Sequence, residues 1–139
     1  MEEHILQQKI EKYKLQKNII LKEHVDDINE YYRKAAMYVL TSRYEGFGLV
    51  LTEAKTQGLP CISFNCPAGP KEIIADGING YLVDCFDIEQ MAGKINELIE
   101  NENKRKLFSE NALVGTEKFN LEEIVEQWSG LFTQLLTND

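Results

Sequence analysis

The sequence predicts an α/β fold built on a parallel sheet, and two observations lead to this prediction. Short apolar runs with strand character alternate with amphipathic stretches of helical character between residues 18 and 84, which is typical of parallel strands joined by helical crossovers. From residue 87 onward, the apolar residues recur with helical spacing only. We therefore expect a parallel sheet of about four strands flanked by helices, followed by an all-helical C-terminal part.

Four apolar runs have the length and composition of buried strands. They are NIILK at 18–22, MYVLTS at 37–42, PCISFN at 60–65 and GYLVD at 80–84. Three stretches of helical character lie between them: DDINEYYRKA, GLVLTEAKTQG and GPKEIIADG. Each crossover is short and suits a right-handed βαβ unit, so we expect neighbouring strands to run parallel.

Three helices are expected after the last strand. The first begins with Asp87 as its N-cap and has Gln90 three residues later, which is the spacing of a capping box. A second helix is predicted over 103–118, and a third begins at Asn120 and continues to the C-terminus. The third helix has a wide apolar face that a small sheet cannot fully cover. We expect its Trp128 to be a buried anchor.

Composition and charge limit the classes of function. A chain of 139 residues with 43% hydrophobic content is long enough for one core, so residues 1–139 are expected to form a single domain. The net charge of −8, without a basic stripe, argues against a nucleic-acid partner. No apolar run reaches the ~18 residues of a membrane-spanning helix. Three cysteines are an odd and sparse set, which favours reduced thiols and a cytoplasmic location.

The stretch SRYEGFGLVLTEA at 42–54 contains a candidate ligand site. A helix is expected to begin at about Gly48, but the capping positions hold Gly46, Phe47 and Gly48 where Ser, Thr, Asp or Asn is usual. Uncapped amide groups and the positive end of the helix dipole attract an anion. In a parallel sheet this turn lies at the carboxyl end of a strand, which is where ligands of open α/β sheets bind.

Two acidic residues, Glu45 and Glu53, stand on either side of this Gly-Phe-Gly turn. A carboxylate beside a phosphate site is unfavourable unless it accepts hydrogen bonds from hydroxyl groups, as acidic residues do with ribose. A diphosphate combined with sugar hydroxyls describes a nucleotide sugar. The alternative is a turn without a ligand, whose amides are satisfied by water or by Glu45 folding back, because a pair of glycines is a weak motif by itself.

The longer stretch SRYEGFGLVLTEAKTQGLPCISF, followed by GPKEIIADGINGYLV, resembles the C-terminal part of the retaining glycosyltransferases of GT-B architecture. This large family is called glycosyl transferases group 1. Its signature of two glutamates separated by seven residues is matched by Glu45 and Glu53. The resemblance covers nearly the whole chain and implies a Rossmann-like, donor-binding domain. It further implies a UDP-sugar or GDP-sugar as the donor substrate, and it requires neither a metal nor another cofactor.

The resemblance also implies roles for individual residues. Glu45 is expected to act at the reaction centre, where it orients and stabilises the transferred sugar, and Glu53 is expected to bind the ribose hydroxyls. The loop at Val25 and Asp26 resembles the segment that borders the base, and the loop from Pro67 to Lys71 resembles one that flanks the donor. The backbone expected to face the sugar and the diphosphate belongs to Gly46, Phe47, Gly48 and Leu49.

The chain departs from the family in length. Enzymes of the family have two Rossmann-like domains, and this sequence contains neither the N-terminal domain, which binds the acceptor, nor the basic pair that clamps the diphosphate. Glu23 and His24 also stand where the family tends to have glycine. We expect the donor-binding part of an enzyme of polysaccharide or glycolipid biosynthesis, inactive alone, and located at the inner face of the membrane in the full-length enzyme. The exposed face of the C-terminal helix is available for dimerisation.

Two other functions remain open from the sequence. One is a nucleotide-sugar-binding subunit that needs a separate partner chain. The other is a noncatalytic interaction domain of flavodoxin-like fold. In the second case Glu45 and Glu53 are incidental surface acids.

Overall fold

A parallel sheet of three strands forms the centre of the structure, which is a computed structural model that describes residues 2–137. In chain order the elements are α1 (Glu2–Lys12), α2 (Asn29–Lys34), β1 (Tyr38–Leu40), α3 (Leu49–Thr56), β2 (Cys61–Phe64), α4 (Pro70–Ile73), β3 (Gly80–Val83), α5 (Ile88–Glu100), α6 (Glu102–Leu113), a 3-10 turn (Glu117–Phe119) and α7 (Leu121–Thr137). The strands are ordered β1-β2-β3, and both pairs are parallel. The predicted α/β class is confirmed.

The first of the four predicted strands does not form. In the segment 18–22, Ile20 is 77% exposed, and the amide of Ile19 donates to the carbonyl of Leu15 as part of a turn that follows α1. Because β1 pairs with β2 alone, the segment has no neighbouring strand within the described residues. A β-branched apolar run without a partner strand gains neither ladder hydrogen bonds nor a buried face.

Helices cover both faces of the sheet. Successive residues of β2 point to opposite faces, so that Cys61 and Ile62 belong to different buried clusters. The cluster on the side of α3 and α4 comprises Tyr32, Leu51, Ala54, Leu59, Cys61, Ile73 and Ile74. The cluster on the side of α5 and α6 comprises Ile62, Phe64, Tyr81, Val83, Met91, Leu98 and Phe108. The loops at the carboxyl ends of the strands are therefore held on a two-sided core.

The start of α5 agrees with the predicted N-cap but not with a complete capping box. Asp87 Oδ1 accepts a hydrogen bond from the amide of Gln90 at 2.8 Å. The side chain of Gln90 does not return to the amide of Asp87, which donates to the carbonyl of Asp84 instead. Gln90 Oε1 accepts from the amide of Asp84 at 3.2 Å, so this side chain ties the helix to the end of β3.

The second predicted C-terminal helix is shorter than expected. Helix α6 ends at Leu113, and the chain turns at Gly115, whose φ of 71° lies in the left-handed region. Such a φ is adopted easily by glycine and interrupts a right-handed helix. Residues 117–119 form a separate 3-10 turn before α7 begins.

Helix α7 leaves its apolar face exposed, which goes beyond the expectation that a small sheet cannot fully cover it. The prediction of a buried Trp128 is wrong, because this side chain is 55% exposed; it packs along its own helix against Phe132, with ring centroids 5.6 Å apart. The exposed apolar residues of α7 are Leu121, Ile124, Val125, Trp128, Leu131, Phe132, Leu135 and Leu136. Among the described residues, no helix is both long and apolar enough to cross a membrane.

Candidate functional site

Helix α3 begins without a side-chain cap, as the sequence predicts. Its N-cap is Gly48, with φ 90° and ψ 50°, and no side chain accepts a hydrogen bond from the first turn. Within residues 2–137, the amides of Gly48, Leu49 and Val50 donate to no protein acceptor. Glu45 therefore does not fold back to cap the helix. Three amide groups at the positive end of a helix dipole form the type of site that binds phosphate or carboxylate.

The loop after β2 packs directly against the Gly-Phe-Gly turn. Gly69 has a φ of 90°, and a Cβ atom at this position would lie 2.2 Å from the carbonyl oxygen of Phe47. Only glycine permits this approach of the two backbones. The contact places the loop from Pro67 to Lys71 beside the uncapped start of α3.

The two glycines of the turn serve different purposes. Gly48 requires its positive φ, and a Cβ there would contact the side chains of Leu51 and Ile73. At Gly46, by contrast, a Cβ would meet no protein atom within 4 Å. The absence of a side chain at Gly46 therefore leaves open space beside the turn, where another molecule can approach the backbone closely.

An open groove of about 500 Å³ lies along β1 and the start of α3. The residues that line it are Tyr38, Leu40, Ser42, Glu45, Phe47, Gly48, Leu49 and Val50. The structure thus brings together four of the predicted site residues in the lining of this groove. Gly46 and Glu53 are close to these residues in the sequence but do not line the groove. One carboxylate, that of Glu45, shares the groove with the uncapped amides.

Glu53 lies in the second turn of α3 and is held by a tyrosine of α2. The hydroxyl of Tyr32 donates a hydrogen bond to Glu53 Oε2 at 3.2 Å. The ring of Tyr32 is buried and meets the ring of Tyr38 edge to face, with centroids 5.7 Å apart. Tyr38 in turn lines the groove, so this aromatic pair connects the second glutamate to the site.

The pKa values of Tyr32 and Tyr38 are raised by burial and, to a smaller extent, by the charges of nearby glutamates. Burial is the main cause that raises the pKa of Tyr38, followed by the neighbouring Cys61 and by the charges of Glu45 and Glu53. Burial also raises the pKa of Tyr32, together with the nearby Tyr38 and Glu53. Both phenols therefore remain protonated at neutral pH and can serve as hydrogen-bond donors.

Phe47 links the turn to the C-terminal part of the chain. Its ring meets the ring of Phe119 edge to face, with centroids 6.2 Å apart and an interplanar angle of 73°. Phe119 ends the 3-10 turn that precedes α7. The central residue of the turn is consequently held at its backbone by Gly69 and at its ring by Phe119.

The loop predicted to border the base lies outside the groove. Val25 is half-buried and Asp26 is exposed, and neither lines the groove along β1. Their role in binding stays a prediction.

A second groove, of about 330 Å³, lies between α3, α4 and α6 and contains the buried Lys55. Burial, followed by the charge of Lys118, lowers the pKa of Lys55. Lys55 Nζ donates to the carbonyl of Ile73 at the end of α4, at 3.4 Å. A lysine that binds the last carbonyls of a helix has a structural explanation, so we place the functional site at the Gly-Phe-Gly turn.

Comparison with known proteins assigns the chain to a family. The sequence profile described as "Glycosyl transferases group 1" matches residues 1–114. The chain belongs to the glycosyl transferases group 1 family. It is 39% identical over 126 residues to the amylovoran biosynthesis glycosyltransferase AmsD of Erwinia amylovora, and the match covers 91% of this chain. The chain spans only 35% of the length of that relative.

Solved structures agree with the family assignment and with GT-B architecture. The C-terminal domain of a glycosyl transferase group 1 family protein (LpcC) from Francisella tularensis is 34% identical, with a TM-score of 0.76 over 86% of this chain and 63% of that chain. The pneumococcal O-GlcNAc transferase GtfA, solved in complex with UDP and GlcNAc, is 31% identical with a TM-score of 0.87. That match covers 98% of this group 1 chain and 28% of GtfA. The chain therefore corresponds to the C-terminal domain of a GT-B glycosyltransferase.

Sequence reasoning missed two contacts that shape the site of this group 1 chain. The first is the hydrogen bond from the hydroxyl of Tyr32 to Glu53. A signal was present, since a tyrosine at a buried position needs a partner for its hydroxyl. The contact between Gly69 and Phe47 joins two loops that are distant in sequence, and no local pattern predicts it.

Proposed function

We propose that this chain is the donor-binding part of a retaining glycosyltransferase that transfers a sugar from a nucleoside-diphosphate sugar. The observation that carries the proposal is the uncapped start of α3, with Glu45 in the adjoining groove and Glu53 one turn further along the helix. Hydrogen-bond donors for an anion and hydrogen-bond acceptors for hydroxyls are thus combined within nine residues, from 45 to 53. This combination matches the chemistry of an activated sugar.

In the proposed complex, each part of the donor meets a different part of the site. The amides of Gly48, Leu49 and Val50 donate to the diphosphate, and Glu53 accepts hydrogen bonds from the ribose hydroxyls. Glu45 accepts hydrogen bonds from hydroxyls of the transferred sugar. GtfA, a structural neighbour of this chain, was solved with UDP and GlcNAc, which supports a uridine nucleotide as the first ligand to test.

The proposed reaction keeps the configuration of the anomeric carbon. The bond between this carbon and the diphosphate oxygen breaks, a bond to the acceptor oxygen forms on the same face, and the acceptor proton passes to the departing diphosphate. Glu45 orients the sugar and stabilises its oxocarbenium-like state without forming a covalent bond. The amides at the start of α3 stabilise the negative charge that develops on the diphosphate, because preorganised donors need no reorganisation during the reaction.

Acceptor binding and turnover are assigned to a part of the enzyme beyond this chain. The relatives in polysaccharide biosynthesis are much longer, and the chain spans 35% of AmsD and 20% of the poly(glycerol-phosphate) alpha-glucosyltransferase of Bacillus subtilis. The exposed apolar face of α7 supports contact with an N-terminal acceptor-binding domain, and dimerisation through α7 is the alternative. Transfer to a saccharide or lipid-linked acceptor then takes place at the cytoplasmic face of a membrane.

A nucleotide-sugar-binding subunit that needs a separate partner chain is a second candidate with the same donor site.

Equilibrium binding of UDP and GDP at millimolar concentration tests the donor site. Glu53→Gln is expected to weaken UDP binding by about tenfold, since one charge-assisted hydrogen bond contributes roughly 1.5 kcal/mol. Glu110→Gln, which changes an exposed carboxylate on α6, is the matched control and leaves binding unchanged. If neither UDP nor GDP binds, or if both glutamine variants behave alike, the proposed donor site is wrong.

A transfer assay separates the donor-binding part from a complete enzyme. The chain alone, supplied with labelled UDP-sugars and a lipid-linked acceptor, is expected to show no turnover. Turnover by the chain alone would contradict the assignment of acceptor binding to another domain or subunit.

A further inference from the structure

We propose that Tyr32 is a positioning residue, which holds the carboxylate of Glu53 in the orientation that the ribose of a nucleotide requires. The inference rests on the proposed role of Glu53 in donor binding and adds to it a residue on a different helix. Its basis is the hydrogen bond between the two side chains, the burial of the tyrosine and, within residues 2–137, the lack of any other side-chain donor to the carboxylate of Glu53.

Tyr32 is fixed more firmly than the residue that it contacts. Its side chain is only 4% exposed, lies in the core cluster on the α3 side of the sheet and packs edge to face on Tyr38. Glu53 is exposed on α3. A hydrogen bond from a rigid donor to a mobile carboxylate mainly restricts the carboxylate, because the buried ring has little freedom left to lose.

The bond leaves Glu53 able to bind a ligand. Its carboxylate has about four lone-pair sites on two oxygens, and Tyr32 uses one of them on Oε2. Within the described residues, no other side chain donates a hydrogen bond to this carboxylate. Two neighbouring hydroxyls, such as those at the 2′ and 3′ positions of ribose, can therefore be accepted while the bond to Tyr32 remains.

Prior orientation of Glu53 reduces the entropy that is lost on binding. A glutamate side chain at the surface samples several rotamers, and a ligand that selects one of them loses affinity in proportion. Tyr32 would restrict this sampling before the nucleotide arrives, which is the general effect of a supporting hydrogen bond at a binding site. The benefit applies only to ligands that carry ribose hydroxyls.

A second tyrosine of the chain provides a matched control. Tyr81 is also 4% exposed and also donates to a glutamate, Glu97 Oε1, at 2.6 Å. Tyr81 belongs to the cluster on the α5 side of the sheet, and Glu97 additionally contacts Lys94 and Lys104. Tyr81→Phe thus removes the same chemical contact on the opposite face of the sheet.

The test compares the affinities of the full chain, Tyr32→Phe and Tyr81→Phe for two ligands. The ligands are UDP and 2′,3′-dideoxyuridine diphosphate, which lacks both ribose hydroxyls. Tyr32→Phe is expected to weaken UDP binding by about three- to tenfold, the effect of one supporting hydrogen bond, and to leave the affinity for the dideoxy analogue unchanged. Tyr81→Phe is expected to leave both affinities unchanged, and thermal melts confirm that each variant is folded.

Each other result has a defined meaning. Equal losses for UDP and the dideoxy analogue in Tyr32→Phe indicate a general distortion and overturn the positioning role, as does an unchanged affinity for UDP. Equal affinity of the unsubstituted chain for the two ligands, or no binding of either, overturns the proposed role of Glu53 itself. If Tyr32→Phe does not fold, the hydroxyl proton of Tyr32 is followed by NMR in the unsubstituted chain, where slow exchange with water is expected both with and without UDP. Fast exchange in the chain without UDP overturns the positioning role.

Discussion

The carbonyl group of Phe47 lies where a side chain at residue 69 would begin, since a Cβ on Gly69 would come within 2.2 Å of the Phe47 oxygen. Two loops that follow different strands are thereby held in direct backbone contact. One of them is the Gly-Phe-Gly turn, and the other is the loop that precedes α4. The geometry of the proposed donor site therefore depends on a glycine outside the turn.

Replacement of Gly69 by alanine is expected to destabilise the chain and to displace the turn. A non-glycine residue at positive φ costs about 1–2 kcal/mol, and the contact with a backbone oxygen adds to this cost, so we expect a total loss of about 2–4 kcal/mol. Chemical denaturation measures the change in the free energy of unfolding. UDP binding is expected to weaken in addition, because the amides at the start of α3 shift with Phe47.

Gly77→Ala provides the control for backbone strain alone. Gly77 has a φ of 71°, but a Cβ at this position would meet no atom within 4 Å. Its replacement should therefore cost about 1 kcal/mol and leave UDP binding intact. Equal effects of the two alanine variants on stability and binding would show that the contact between Gly69 and Phe47 is not important.

Glu97 is expected to make the stability of the chain depend on pH in acid. Hydrogen bonds from Lys104, then Tyr81 and Lys94, lower the pKa of Glu97 from its usual 4.5 to about 2. Because the pKa is lower in the folded state, the contribution of Glu97 is fully present above pH 4.5 and is lost as the pH falls towards 2. The contribution is about 0.5–1 kcal/mol, since the carboxylate is partly exposed and screened.

Glu97→Gln isolates this contribution. At neutral pH the variant is expected to be less stable than the unsubstituted chain, and the difference should shrink across the acid range where Glu97 becomes protonated. Urea denaturation at a series of pH values measures the difference. A difference that stays constant throughout the acid range would show that this cluster does not stabilise the ionised carboxylate.

The apolar face of α7 is expected to become covered when a partner is supplied. Trp128 is the only tryptophan of the chain and is 55% exposed, so its fluorescence reports on this face. If the chain dimerises through α7, the fluorescence emission of Trp128 is expected to shift to the blue as the protein concentration rises. Phe132→Glu should prevent this shift by placing a charge in the apolar contact.

Gln134→Glu adds the same charge to α7 away from its apolar face and is expected to leave the association unchanged. Light scattering gives the molar mass in parallel with the fluorescence. A monomer at all concentrations would exclude the dimer and leave the acceptor-binding domain as the proposed partner of α7.

Much of the fold could be predicted from local patterns in the sequence. The strands β1, β2 and β3 are short apolar runs between turn residues; β2 is fully buried, β3 is largely buried, and β1, at the edge of the sheet, is half-buried. The segment 18–22 is also a short apolar run but forms no strand, because composition alone does not decide whether a segment pairs with the edge of a sheet. The exposure of Trp128 escaped prediction for a related reason, since burial depends on what surrounds the helix.

The centre of the candidate site was also predictable, whereas its support was not. The uncapped helix start follows from the residue types at Gly46, Phe47 and Gly48, which are local information. The bond from Tyr32 to Glu53 joins residues that are 21 positions apart, and the contact of Gly69 with Phe47 spans a similar distance in the sequence. Such contacts arise only when the helices and loops have packed on the sheet.

The central claim is that the amides at the start of α3 bind the diphosphate of a nucleotide. Its most direct test is a titration of the chain with UDP, followed by the chemical shifts of the backbone amides, with uridine as the ligand that lacks phosphate. The account predicts that UDP shifts the amides of Gly48, Leu49 and Val50 more than those elsewhere in the chain, and that uridine leaves them unchanged. Shifts that avoid residues 45–53, or that are the same for uridine and UDP, would contradict it.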